Sequence, residues 1–136
     1  MKIIFLDVDG VLNSSNDKFS TELETDSHLL LLKELVDKTN SKIVLTSSWR
    51  KIPKLRKVVD TKLKNLNIEI IGETKSLPGT RGSGIKEWLK DKEVESFVIL
   101  DDDSDMDELT STNLVKTDYN IGLQKEDIEK ALKILK

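Results

Sequence analysis

Two aspartates near the N-terminus follow directly after a short apolar run. Residues 3–6 are all apolar, and Asp7, Asp9 and Gly10 come next. In extended backbone, side chains two residues apart point to the same side, so the two carboxylates would face the same way. A divalent cation bound through carboxylate oxygens would offset their mutual repulsion. A polar turn would account for Gly10 but not for both acids, and the pair therefore indicates a functional site.

Two later apolar runs also end in polar side chains. The run at residues 42–46 ends in hydroxyl groups, and the run at residues 96–100 ends in carboxyl groups. These polar residues are Thr46, Ser47, Ser48, Asp101, Asp102, Asp103 and Asp105. An acidic pair, a set of hydroxyls and an acidic cluster together suit one cation and one anion, and phosphate is the obvious anion.

The elements that must position these residues alternate along the chain. Apolar runs predict strands at residues 3–6, 42–46, 68–71, 96–100 and 113–116. Helical spacing predicts helices from a cap at Asp26 or Ser27 to Asn40, over 53–66, from Ile85 after a loop at 72–84, and over 124–135. This order predicts an α/β fold, a three-layer Rossmann-like parallel sheet of about five strands flanked by helices. Ligands of such sheets bind at the carboxyl ends of the strands, where the acids and hydroxyls fall.

Length and composition set the broad class. The 136 residues suit a single domain over residues 1–136, and a net charge of -3 gives no global field that would recruit nucleic acid. The absence of cysteine excludes disulfides and thiol nucleophiles. The one histidine, His28, excludes a multi-histidine metal site, and we expect it at the surface. No apolar segment is long enough to predict a membrane span, so cytoplasmic location is the default expectation.

Three motifs resemble those of the haloacid dehalogenase (HAD) superfamily. DVDGVLN at residues 7–13 resembles its first motif, IVLTSSWR at residues 43–50 its second, and VILDDDSD at residues 98–105 its fourth. The combination is especially similar to small HAD domains associated with RNA-repair proteins. The segments between Gly10 and Asp26 and between Gly72 and Gly84 are only loop-sized, which predicts a capless member without a substantial cap domain.

The resemblance implies a phosphatase mechanism. Asp7 would be the nucleophile that attacks phosphorus to give an aspartyl-phosphate, and Asp9 would be the general acid and base. Mg²⁺ would be held by Asp7, by the main-chain carbonyl of Asp9 and by an acid of the Asp101–Asp102 pair, with Asp102 favoured. Thr46 would hydrogen-bond the phosphate.

The resemblance leaves the third-motif cation open. Arg81 is favoured because a loop position can turn toward the strand ends, and Lys86 and Lys75 are the alternatives. Gly10 and Ser47 are further candidates for contacting the substrate. For Arg50, binding of a substrate phosphate and pairing with a local acid are equally supported.

Other functions compete with phosphatase activity. The leading alternative is a catalytically silent phosphate- or metal-binding regulatory module that resembles a receiver domain, although the strands ending at Thr46 and Gly72 lack the acid expected there. Dehalogenation is disfavoured by Asp9, and mutase activity by the missing cap. The resemblance implies an open site and, with it, a macromolecular phosphorylated substrate such as a nucleic-acid end or a phosphoprotein; a small phosphorylated metabolite is the alternative. We expect a monomer or weak homodimer.

Overall fold

The apolar runs form one five-stranded parallel sheet in the computed structural model. The structure describes residues 1–16, 18, 20–23, 26–110 and 112–136, except for the side chains of residues 26 and 110. The strands are β1 (Lys2–Leu6), β2 (Lys42–Leu45), β3 (Ile70–Glu73), β4 (Ser96–Asp101) and β5 (Leu114–Lys116). They lie in the order β3-β2-β1-β4-β5, and every neighbouring pair is parallel.

Helices cover both faces of this sheet. They are α1 (Asp26–Thr39), α2 (Pro53–Asn65), α3 (Arg81–Leu89) and α4 (Lys125–Ile134), and short 3₁₀ helices span Ser48–Lys51 and Asp107–Thr110. The side chains of β1 alternate between two buried cores, as a fully covered parallel strand requires. Ile4 and Leu6 pack with α1, α2 and α4, whereas Ile3 and Phe5 pack with Ile85 of α3. The predicted three-layer Rossmann-like α/β fold is confirmed.

The described residues form no cap domain over the carboxyl ends of the strands. Between β1 and α1 the described residues form turns, a bend and irregular backbone, and the connection from β3 to α3 is a loop of residues 74–80. No described helix is both long and apolar enough to cross a membrane.

Three local expectations from the sequence were wrong. The third strand runs over Ile70–Glu73 and not over 68–71. Ile68 is buried but lies ahead of the strand, and the register between β2 and β3 shifts between Ile43 and Val44. The loop expected to extend to residue 84 ends earlier, since α3 begins at Arg81. His28 is not at the surface: it is buried, and its Nδ1 lies 3.0 Å from the Leu123 carbonyl oxygen.

The strand order determines where a ligand can bind. The chain moves from β1 outward through β2 to β3, and then returns to the other side of β1 for β4 and β5. The carboxyl ends of β1 and β4 therefore flank the switch point, where the connections leave a crevice. Asp7 follows β1, and Asp101 ends β4.

Candidate active site

Asp7 lies at the centre of the site because β1 is the central strand. Its amide donates to the Leu100 carbonyl across 3.0 Å, which fixes it beside the end of β4. On the other side, the Thr46 amide donates to the Leu6 carbonyl across 3.0 Å and brings the end of β2 alongside. The structure thus brings together the acids and hydroxyls that follow three separate strands.

Three carboxylates meet at the switch point. Asp7, Asp101 and Asp102 each offer an oxygen within 4.8 Å of the others. Arg81 is the cation against this cluster, since its Nη1 lies 2.8 Å from Asp101 Oδ2 and 3.3 Å from Asp7 Oδ1. The cluster therefore carries more formal negative charge than its arginine can offset.

The pKa values in this cluster follow from burial and from the excess of acids. Burial and the neighbouring Asp101 carboxylate raise the pKa of Asp7 to about 8, against the opposing effect of Arg81. Burial likewise raises the pKa of Asp101, although Arg81 and the Asp103 amide oppose the shift. Burial alone would lower the pKa of the Arg81 guanidinium, but Asp101 and Asp7 raise it above the ordinary arginine value.

The donor set suits a hard divalent cation. Magnesium is bound in proteins through one or a few carboxylates, with other oxygen ligands completing its shell. Three ionised carboxylates and one guanidinium leave a charge that a divalent ion would neutralise. Asp7, Asp101 and Asp102 could therefore hold the ion, and its charge would oppose the effect of burial and of Asp101 on the pKa of Asp7.

Asp9 is held by two side chains that the sequence did not single out for this purpose. Its Oδ1 accepts from Asn13 Nδ2 at 2.8 Å, and its Oδ2 accepts from Trp49 Nε1 at 3.1 Å. Trp49 is buried in the 3₁₀ helix after β2. The Asp9 carboxylate is therefore outside the acid cluster and is fixed between the β1 turn and the segment after β2.

Gly10 has a conformational role in the turn after β1, and its expected contact with substrate stays a prediction. Its amide donates to Asn13 Oδ1 at 3.0 Å and its carbonyl accepts from Thr117 Oγ1 at 2.6 Å, so both backbone groups are used within the chain. Its φ of +83° favours glycine, and an added Cβ would lie 2.6 Å from Asp102 Cγ. Gly10 thus allows the Asp102 side chain to approach the turn after β1.

Thr46 carries a buried hydroxyl that is unsatisfied within the described residues. Its side chain is 3% exposed, and Oγ1 has no hydrogen-bond partner there. Buried polar groups are nearly always paired, because an unpaired one costs stability. Thr46 also lines a cavity of about 260 Å³, so a molecule bound there would lie beside this residue.

That cavity is walled mainly by hydroxyls and cations. Its lining includes Thr46, Ser48, Arg50, Lys51, Thr74, Lys75, Ser76, Thr80, Arg81 and Asp105. Arg81 belongs to both the cavity and the acid cluster, and it connects the two. An anion in the cavity would therefore lie next to Arg81 and Thr46, close to the Asp7 carboxylate.

Several residues expected at the site have other contacts in the structure. Lys86 is directed to Glu108 at 2.6 Å and to Asp107 at 3.6 Å, and it does not line the cavity, so the structure does not bring it together with the other site residues. Ser47 is buried, and its Oγ accepts from the Trp49 amide as the cap of the 3₁₀ helix. Asp105 Oδ2 accepts from the Arg81 amide at 3.3 Å, at the start of α3, and it is outside the acid cluster.

Asn13 and Trp49 are the site residues that sequence reasoning missed. Asn13 follows Asp9 by four residues within DVDGVLN, and a polar residue that close to a glycine turn was a signal that it could hold the turn. For Trp49, no local pattern pointed to Asp9, because 40 residues separate them and only the parallel pairing of β1 and β2 brings them together.

Comparison with known proteins gives one result. The family model described as "HAD domain in Swiss Army Knife RNA repair proteins" matches residues 3–128. The match covers all five strands except Lys2 of β1, and with them every strand end that contributes to the site. No curated protein and no solved structure gives a significant match to the chain.

Proposed function

The chain belongs to the family of HAD domains in Swiss Army Knife RNA repair proteins, and on that premise we propose that it is a Mg²⁺-dependent phosphohydrolase that forms an aspartyl-phosphate on Asp7. The family is generally one of hydrolases, which supports this class of reaction. The observation that carries the proposal is the surroundings of Asp7. Its buried carboxylate lies within 4.8 Å of two further acids and contacts Arg81, which lines a cavity together with Thr46, whose buried hydroxyl is unsatisfied within the described residues.

In the first step, an oxygen of Asp7 attacks the phosphorus of a phosphate ester. A bond forms between this oxygen and phosphorus, and the bond from phosphorus to the ester oxygen breaks. Asp9 gives its proton to the departing ester oxygen, so that an alcohol leaves. Trp49 and Asn13 hold the Asp9 carboxylate in one orientation for this transfer.

In the second step, water hydrolyses the aspartyl-phosphate. The Asp9 carboxylate takes a proton from water, and the water oxygen bonds to phosphorus as the bond from phosphorus to Asp7 breaks. Inorganic phosphate leaves, and both aspartates return to their starting states. The net reaction consumes one phosphate ester and one water and yields one alcohol and one phosphate.

Positioning and charge supply most of the catalysis in such a transfer. Arg81 faces both the nucleophile and the cavity and would stabilise the negative charge that develops on the phosphoryl oxygens. Thr46 Oγ1 would donate to one of those oxygens. Magnesium held by Asp7, Asp101 and Asp102, together with the Asp9 carbonyl, would neutralise charge so that an anionic nucleophile can approach an anionic phosphate.

The open site favours a substrate larger than the cavity. A phosphorylated nucleic-acid end is the candidate that the family's description favours. A phosphoprotein or a small phosphorylated metabolite would meet the same residues. Cytoplasmic location and a monomeric or weakly dimeric state stay predictions.

The test is turnover of an aryl phosphate. Hydrolysis should require Mg²⁺ and should be lost in Asp7→Asn, which retains the size of the side chain and removes the nucleophile. Activity that survives in Asp7→Asn would contradict the assignment. In Asp9→Asn the phosphoenzyme should still form and should accumulate, because activation of water is lost. A long-lived phosphorylated state in the wild-type protein would instead favour the receiver-like alternative.

A further inference from the structure

Arg50 is a half-buried cation whose direct contacts are all with neutral groups. Nε donates to the Thr74 carbonyl at 2.7 Å, and Nη1 donates to the carbonyls of Thr46 at 3.2 Å and Ser47 at 2.8 Å. Nη2 donates to Ser76 Oγ at 2.9 Å. Within the described residues Arg50 forms no ion pair, although burying a charge without a counter-charge is costly.

The acids that act on Arg50 from a distance are already paired with other arginines. Burial lowers the pKa of the Arg50 guanidinium and the Arg81 charge lowers it too, while Glu73 and Asp7 raise it. Glu73 lies 2.6 Å from Arg56 Nη1, and Asp7 contacts Arg81. The positive charge of Arg50 is therefore the less compensated of the two guanidiniums in the cavity.

The rest of this end of the cavity has the same character. Lys51 follows Arg50 in the chain, and Lys75 follows Thr74, whose carbonyl accepts from Arg50 Nε. Both lysines are exposed, line the cavity, and have no ion pair in the part of the chain that the structure describes. Ser48 and Ser76 add hydroxyl groups to the wall. Asp105 is the acid among the described lining residues, and its Oδ2 accepts from the Arg81 amide.

We propose that the Arg50 end of the cavity binds a second phosphate group of the substrate, separate from the phosphoryl group that reacts near Asp7, Thr46 and Arg81. The inference rests on the proposed function and narrows its substrate class to phosphomonoesters that carry another phosphate, either a monoester or a diester. Arg81 serves the reacting group because two carboxylates hold it at the acid cluster. Arg50, Lys51 and Lys75 supply the charge that the second group requires.

A purely structural role for Arg50 makes a different prediction. Four of its five N–H groups already bind neutral acceptors, and these contacts hold the segments after β2 and β3 together. If Arg50 served only to hold these segments together, substitution of Lys51 or Lys75 would not change the preference for a substrate with a second phosphate. The two lysines therefore test the charge of the subsite without disturbing the Arg50 contacts.

The experiment compares a nucleoside 3′,5′-bisphosphate with the nucleoside 3′-monophosphate, by measuring release of the 3′-phosphate. The wild-type protein should prefer the bisphosphate by about tenfold or more in kcat/KM, chiefly through KM, because charge-assisted hydrogen bonds to the second group add to binding. Lys51→Gln and Lys75→Gln should each reduce this ratio about two- to fivefold, the range of an exposed ion pair. Lys57→Gln, an exposed lysine of α2 outside the cavity, should leave it unchanged.

A 3′-phosphorylated dinucleotide carries its second phosphate as a diester. Comparing it with the bisphosphate shows whether the subsite prefers a monoester or a diester as the second phosphate. Preference for either substrate over the monophosphate, lost in the lysine variants, supports the subsite and identifies its ligand. A wild-type ratio near one for both, or ratios that neither lysine variant changes, overturns it. Turnover of the aryl phosphate, which has no second phosphate, reports separately on the proposed function.

Discussion

Trp49 Nε1 donates a hydrogen bond to Asp9 Oδ2 across 3.1 Å, and this contact joins the segment after β2 to the turn after β1. The other oxygen of Asp9 accepts from Asn13 at 2.8 Å. Because both oxygens are held, the carboxylate has one orientation before any substrate binds. A general acid must lie within hydrogen-bond reach of the atom that it protonates, so a fixed orientation favours proton transfer.

Trp49→Phe removes this hydrogen bond and keeps most of the buried ring. We expect kcat to fall about tenfold, equivalent to about 1.4 kcal/mol, with little change in KM, because Asp9 acts on bound substrate. Steady-state kinetics with an aryl phosphate measure both parameters. Trp88→Phe is the matched control, since Trp88 packs edge-on against Phe5 in the α3 layer. Equal losses in the two variants would show that Trp49 acts only through packing.

The choice of third-motif cation is tested by Arg81 and Lys86. Arg81→Gln should lower kcat/KM by about a hundredfold or more, because it removes the cation shared by Asp7 and the cavity. Lys86→Gln should leave kinetics nearly unchanged, since Lys86 pairs with Glu108 on the surface of α3. A large loss in Lys86→Gln, with Arg81→Gln little affected, would reverse the assignment.

Gly10→Ala should reduce both stability and Mg²⁺ affinity. The substitution forces alanine to a φ of +83° and directs its Cβ into Asp102, which would have to leave the acid cluster. The backbone strain alone costs about 1–3 kcal/mol. Gly79→Ala is the control, because Gly79 has a φ of +102° but its added Cβ would meet only Ser83 Oγ, at 3.1 Å. Thermal melting with and without Mg²⁺ should show weakened metal stabilisation in Gly10→Ala alone.

The metal-free protein should lose stability as pH rises. The folded protein binds a proton at Asp7 with a pKa of about 8, while the unfolded chain has the ordinary value of 3.8. Between these values the folded state binds more protons, so the free energy of unfolding falls with increasing pH. Mg²⁺ replaces the protons and should stabilise the protein more at pH 8 than at pH 6.

The measurement is the melting temperature at several pH values, with and without Mg²⁺. Asp7→Asn cannot ionise at this position, and it should therefore flatten the decline between pH 6 and pH 8. A melting temperature of the metal-free wild-type protein that rises over this interval would contradict the raised pKa.

The sequence predicted the parts of the site that come from strand ends. Asp7, Thr46 and Asp101 follow buried apolar runs, and a parallel sheet brings such ends to one edge. It could not predict contacts that depend on side-chain direction. Lys86 and Arg81 are five residues apart on α3, yet Lys86 pairs with Glu108 and Arg81 with Asp7 and Asp101. His28 was misplaced because a single histidine near the start of an amphipathic helix gives no sign of a backbone partner 95 residues away.

Thr46 offers a test in which stability and activity move in opposite directions. Its Oγ1 is buried without a partner among the described residues, and burying such a group costs about 1–3 kcal/mol. Thr46→Val keeps the shape and removes the hydroxyl, so the free energy of unfolding should stay equal or rise by about 1 kcal/mol. Loss of the phosphate contact should lower kcat/KM about tenfold or more.

Thr46→Ser is the control: it keeps the hydroxyl and loses a buried methyl, and it should retain activity at a cost of about 1 kcal/mol in stability. Urea unfolding and aryl phosphate kinetics on the three proteins separate the two effects, and a Thr46→Val protein that is clearly less stable but fully active would assign the hydroxyl to folding.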